Sequence, residues 1–185
     1  MADKPSYIGL LNAIANGVSV GHKIFRNWAK VTQCDEIRGT LQTVAIREAE
    51  HAGAFGRRLC ELGFGLRKKD VPDESKKTLK VMKSDMTDIE KFEHIGYGKK
   101  SKEAQTDGLL RLLEDTTIDP QTGALLGRFI CEERDTVRRL KACYETLKAG
   151  APAKPAMDVN LEQVCAQLAT LTEKVEAMSR LKAVR

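Results

Sequence analysis

Ala45 to Phe55 reads AIREAEHAGAF, and the fold turns on how this stretch is read. Glu48 and His51 stand three positions apart within it. On a helix that spacing puts both side chains on one face, about a turn apart. The same face continues upstream through Ile37, Leu41, Val44 and Ala45, and downstream through Ala52, Phe55, Leu59 and Leu62. The pattern predicts a helix over about 36–62, with a polar pair set in an apolar stripe. Asp35 stands as its N-cap, and Gly63 and Gly65 as its end. Such a pair has two uses. It can be a buried hydrogen-bonded couple with arginine partners such as Arg138 or Arg139, or a carboxylate and an imidazole aimed at one metal ion.

The same periodicity recurs outward from this helix. Leu10, Leu11, Ile14, Val18, Ile24, Phe25 and Trp28 predict a helix over 7–31, where Gly17 and Gly21 argue for close packing. Leu79, Met82, Met86, Ile89 and Phe92 predict one over 75–95, broken by GYGKK. Leu109, Leu110, Leu112 and Leu113 predict one over 102–114. Asp119 and Pro120, as N-cap and first helical residue, open a helix that runs to 147. The fold class is all-α.

An internal repeat relates these helices. A shift of 84 positions lays Asp35 on Asp119, Gly39 on Gly123, Leu41 on Leu125, Ile46 on Ile130, Glu48 on Glu132 and Glu61 on Glu145. His51 then falls on Asp135, and upstream Phe25 meets Leu109 and Trp28 meets Leu112. Two helix-hairpin repeats of this kind make a pseudo-twofold four-helix bundle with a connecting crossover segment over 67–101.

GluAlaGluHis at 48–51, followed by AlaPheGlyArgArgLeu, resembles the second helix of the ferritin-like superfamily. The rubrerythrin and demethoxyubiquinone-hydroxylase branches are nearest. CysGluGluArgAsp at 131–135, followed within the same helix by ValArgArgLeu, is similar to the fourth helix of that bundle. The resemblance covers residues 7–148. It implies a paired iron or manganese centre with Glu48, His51 and Glu132 as ligands, and Asp135 where a second histidine would stand. Glu103 falls near the spacing of the third-helix acid. The first helix has no acid between Ala15 and His22, and His22 is the metal ligand available there. The implied set is incomplete. The leading expectation is therefore a ferritin-like protein with a degenerate di-metal centre, acting as a structural or binding oligomer. One alternative is a carboxylate-bridged di-iron or di-manganese protein in oxidant handling, iron binding or hydroxylation. Another is a scaffold whose basic connecting helix, with Lys76, Lys77, Lys80 and Lys83, meets an acidic protein partner.

Composition narrows the remaining classes. The 185 residues are 42% hydrophobic and 31% charged, with a net charge of +5. Basic residues interleave with acidic ones and aromatics are few, which argues against nucleic acid as a partner. Neither GxGxxG nor GxxxxGK occurs, so no phosphate loop is expected. No run approaches the ~20 apolar residues that span a bilayer, and no leader is expected at the N-terminus. Five cysteines without a CxxC pair fit reduced thiols and a cytoplasmic setting, with Cys60, Cys131 and Cys143 expected as buried structural thiols. Glu90 and His94, four apart, read as a solvated face. Residues 1–148 form the expected bundle and 149–158 a Pro/Ala linker. In 159–185, Leu161, Val164, Leu168, Leu171, Val175 and Met178 keep a heptad that predicts a coiled-coil helix joining copies into a homo-oligomer.

Overall fold

The protein is described from a computed structural model over residues 5–98 and 110–150. Among these residues the regular structure is entirely helical. Helix α1 spans Ile8–Val31, α2 Asp35–Glu61, α3 Asp73–Val81, α4 Asp88–His94 and α5 Pro120–Lys148, with a 3-10 turn at Leu110–Leu113. All but the first two residues of the linker expected over 149–158, the heptad expected over 159–185, and Glu103 with most of the helix expected over 102–114 lie outside the described residues.

The long helices pack through two apolar clusters. One joins Leu11, Ala15 and Val18 of α1 to Phe55 and Leu59 of α2 and to Leu126, Phe129 and Ile130 of α5. The other joins Trp28 and Ala29 of α1 to Ile37, Leu41 and Val44 of α2, Phe92 of α4, and Leu140 and Tyr144 of α5. Early α1 thus meets late α2 and early α5, so α1 and α5 run together and α2 runs against them. On each helix polar or small residues lie between the clusters, Gly21 and His22 on α1, Glu48 and His51 on α2, and Glu132 to Asp135 on α5, while Ile46 and Val137 of these stretches are exposed. The core is two apolar ends with a polar layer between them.

The helix ends follow local chemistry. Gly63, at φ +81°, lets α2 close in a Schellman turn, with Phe64 N donating to Leu59 O at 2.8 Å and Gly63 N to Cys60 O at 2.9 Å. Gly96, at φ +105°, closes α4 the same way, with Tyr97 N donating to Phe92 O. The Tyr97 ring then packs on Phe92 at 5.4 Å between centroids. Asp119 caps α5 by accepting from Gln121 N and Thr122 N, with Pro120 in the first turn.

Five expectations are corrected. The single helix over 75–95 is two, because Thr87 and Glu90 form a capping box that starts α4 anew. Asp35 is not the N-cap of α2: Cys34 holds that place without a side-chain bond, and Asp35 pairs with Arg38. Its supposed repeat mate Asp119 does cap, so the matched start is lost. The repeat also fails in burial, since Ile46 is 60% exposed where its mate Ile130 is 3% exposed. Leu110–Leu113, the described end of the 102–114 segment, is a 3-10 turn and not α-helix. Cys60 and Cys131 are exposed, and only Cys143 is half-buried among the three cysteines expected inside, its thiol donating to Thr40 Oγ1 at 3.6 Å.

Candidate functional site

The polar layer brings together three of the candidate residues. Glu48 and His51 are both buried on α2, as the stripe requires. Glu132 reaches them from α5, its Oε2 accepting from His51 Nε2 at 2.5 Å. On its other side Glu132 Oε1 accepts from Arg128 Nε at 2.9 Å, one turn earlier on α5. Burial opposes the Glu132 charge, but Arg128 and His51 outweigh it and hold its pKa below the usual value. His51 Nδ1 is buried without a hydrogen bond; Glu133 Oε1 stands 3.6 Å away, in ion-pair range but beyond hydrogen-bond reach. Burial disfavours the imidazolium, yet Glu133 and Glu132 together keep its pKa above the ordinary value. The His51 ring also stands edge-on to Phe129, at 5.1 Å between centroids.

Among the described residues no lysine or arginine forms an ion pair with Glu48; His51 is the basic group that acts on it. Burial, helped by the nearby charge of Glu133 and opposed by His51, pushes its pKa up to about 8. At neutral pH this burial favours the protonated carboxylic acid. Its carboxyl lies against the backbone of α1 at Gly21, where an added Cβ would come within 2.6 Å of Glu48 Oε2. Gly21 therefore makes room for this carboxyl, whereas a Cβ at Gly17 would meet nothing within 4 Å. Alanine in place of glycine ordinarily favours a helix by about 1 kcal/mol. Gly17→Ala should show that gain in urea unfolding. Gly21→Ala should instead cost about 1–2 kcal/mol by overpacking, and Glu48→Ala in the same chain should erase the cost.

The other candidates are engaged elsewhere. Asp135 accepts from Arg47 Nη1 at 2.7 Å, from Arg139 Nε at 2.6 Å and from Arg138. These guanidiniums, Arg139 first, hold its pKa far below the carboxylate range. His22 Nδ1 donates to Ala45 O at 2.8 Å, which ties α1 to α2. His94 Nε2 meets the Thr78 hydroxyl at 3.1 Å on the surface. Among the described residues no group of three or more His, Cys, Asp or Glu side chains is arranged to hold a metal ion.

No family model, curated protein or solved structure matches the chain.

The side chains themselves are a poor fit to a di-metal centre. Two cations need several ionised carboxylates converging on them. Here Glu132 is shared between His51 and Arg128 and Asp135 is enclosed by three arginines, while burial favours the protonated form of Glu48. His51 Nδ1, which makes no hydrogen bond, and Glu133, 3.6 Å from it, are the groups here that suit a ligand. Spacing on α5 made the Arg128–Glu132 and Asp135–Arg139 pairs visible as i,i+4 couples. The cross-helix reach of Arg47 had no such signal.

Proposed function

We propose that the chain is a ferritin-like bundle with a degenerate di-metal centre, serving as a structural or binding oligomer and not as a redox enzyme. The supporting observation is the way its acids are satisfied. The carboxylates that would bridge cations in the active members of that superfamily are neutralised here by protein groups: Glu132 by His51 and Arg128, Asp135 by Arg47, Arg138 and Arg139, and Glu48 by its own proton. Guanidinium suits this role because it is always charged and donates in a planar fork. The polar layer then fixes the register of α2 against α5, a use of buried polar groups known from other helix assemblies. Assembly is assigned to the heptad from Leu161 to Met178.

Metal content by plasma mass spectrometry tests the reading, on protein purified without chelator and again after anaerobic loading with iron or manganese. Substoichiometric metal, and a melting temperature indifferent to chelator, are the expected results. Near-stoichiometric metal that disappears in a Glu48→Ala/Glu132→Ala variant would overturn it in favour of a di-metal oxidoreductase. Sedimentation should give more than one copy per particle, and Leu168→Asp/Leu171→Asp should return the chain to a monomer.

A further inference from the structure

The chain that follows α2 is strapped to α1 by two asparagines. Asn12 holds Arg67 at both backbone groups: its Nδ2 donates to Arg67 O at 3.0 Å and its Oδ1 accepts from Arg67 N at 2.8 Å. One turn along α1, Asn16 Nδ2 also donates to Arg67 O, and its Oδ1 accepts from Lys69 N, both at 3.0 Å. Arg67 and Lys69 therefore turn the same backbone edge to α1, which is the alternation of an extended segment. The strap fixes where these two cations emerge.

The strap, early α1 and the end of α2 line a cleft of about 390 Å³, the size of a small-molecule site. Ile8, Leu59 and Phe64 give it an apolar floor at the edge of the core cluster shared by α1, α2 and α5. Glycines keep it open, since a Cβ at Gly9 or Gly65 would meet nothing within 4 Å. Arg67 and Lys69 line it without an ion pair or a side-chain hydrogen bond among the described residues. No acid lines it, and Asp70, next along the chain, is exposed outside it. Three other clefts differ in this respect. Lys83 and Lys91 share theirs with Asp85 and Asp88, Arg57 and Arg58 share theirs with Glu61, and Arg134 and Arg138 share theirs with Asp135. Beside α1 the cations have no counter-charge in the lining, so this cleft attracts an anion.

The lining also selects which anion. It contains no hydroxyl, and the Asn12 amide is engaged at both ends by Arg67. A phosphate, with three acceptor oxygens and nearly two charges, would find too few donors. A carboxylate has two oxygens, which a guanidinium fork and one ammonium satisfy. The apolar floor adds a preference for an alkyl chain.

We propose that this cleft binds an aliphatic monocarboxylate, with its carboxylate on Arg67 and Lys69 and its chain on Ile8, Leu59 and Phe64.

Amide correlation spectra of the full, isotope-labelled chain test this with sodium octanoate. Saturable shifts are expected at Gly9, Phe64 and Arg67. From butanoate through hexanoate to octanoate, affinity should rise about two- to fourfold per methylene. Arg67→Gln/Lys69→Gln should weaken octanoate about tenfold. The same variant should keep the wild-type melting temperature, because both side chains are exposed. Octanol brings the chain alone and inorganic phosphate the charge alone, and each should bind about tenfold more weakly than octanoate. Equal binding of phosphate would mean a loose counterion, and equal binding of octanol an unselective apolar surface. Either would overturn the proposal, as would shifts that avoid the cleft or an unchanged octanoate affinity in the double variant. None of these readouts depends on the metal content or assembly of the bundle.

Discussion

Glu48→Gln is expected to stabilise the protein increasingly as pH rises from about 4.5 to about 8. In the unfolded chain this carboxyl ionises near 4.5, while in the folded protein it keeps its proton to about 8. Between those values the folded state binds a proton that the unfolded state has released, so stability falls as pH rises. Its contribution is fully present below pH 4.5 and gone once pH has passed about 8. At about 1.36 kcal/mol per unit, the limiting loss is about 5 kcal/mol; water entry and side-chain adjustment bring the observed value to about 2–3 kcal/mol. Glutamine matches the volume and cannot ionise. The variant and the wild type should therefore agree near pH 5 and separate progressively up to pH 9. Urea titrations followed by the fluorescence of Trp28, the single tryptophan, give the comparison. A profile parallel to the wild type, or a loss of stability at pH 8, would show an ionised and partnered Glu48. Subtracting the two profiles removes groups that titrate alike in both.

The route to Glu48 shows what local sequence carries. The stripe from Ile37 to Leu62 placed Glu48 and His51 on the buried face of α2, because helical periodicity needs only the neighbours along the chain. The same logic located α1 and α5. Which partner each polar group finds is a cross-helix matter, and there the spacing gave little. Arg138 and Arg139 stood as candidate partners of Glu48 and His51, but they close on Asp135, one turn away on their own helix. The apparent repeat misled in the same way. Glu48 and Glu132 do meet in one layer, yet Ile46 faces solvent where Ile130 is core, since identity at six positions does not fix helix rotation. The break between α3 and α4 was legible in principle: ThrAspIleGlu at 87–90 is a capping-box signature inside an otherwise periodic run. The burial of Lys91 was not, because it depends on how α4 meets Trp28 and the end of α1.

Asp119→Ala is expected to cost about 3 kcal/mol at neutral pH. Sequence gives this residue one task, the cap of α5. Folding adds partners from two other elements. Oδ1 accepts from Gln121 N and Thr122 N, both at 3.0 Å, and from Arg58 Nη2 of α2 at 2.8 Å. Oδ2 accepts from the Tyr7 hydroxyl at 2.8 Å and from Thr122 Oγ1 at 2.6 Å. Losing the cap alone costs about 1 kcal/mol. The remainder comes from the hydroxyls of Tyr7 and Thr122, both residues being buried, which lose their acceptor. Asp119→Asn keeps an acceptor for the cap and should cost less than half as much. The bond from Thr122 is the largest influence on the carboxyl, whose pKa sits far below its ordinary 3.8. The folded state therefore releases this proton more readily than the unfolded one. Its stabilisation is complete above about pH 4 and is lost as pH falls through the acid range. The gap between wild type and Asp119→Ala should consequently narrow in acid, where the Glu48→Gln gap is absent. A gap of equal size at pH 7 and pH 2 would mean that the carboxylate charge contributes nothing and that only the lost hydrogen-bond acceptor matters.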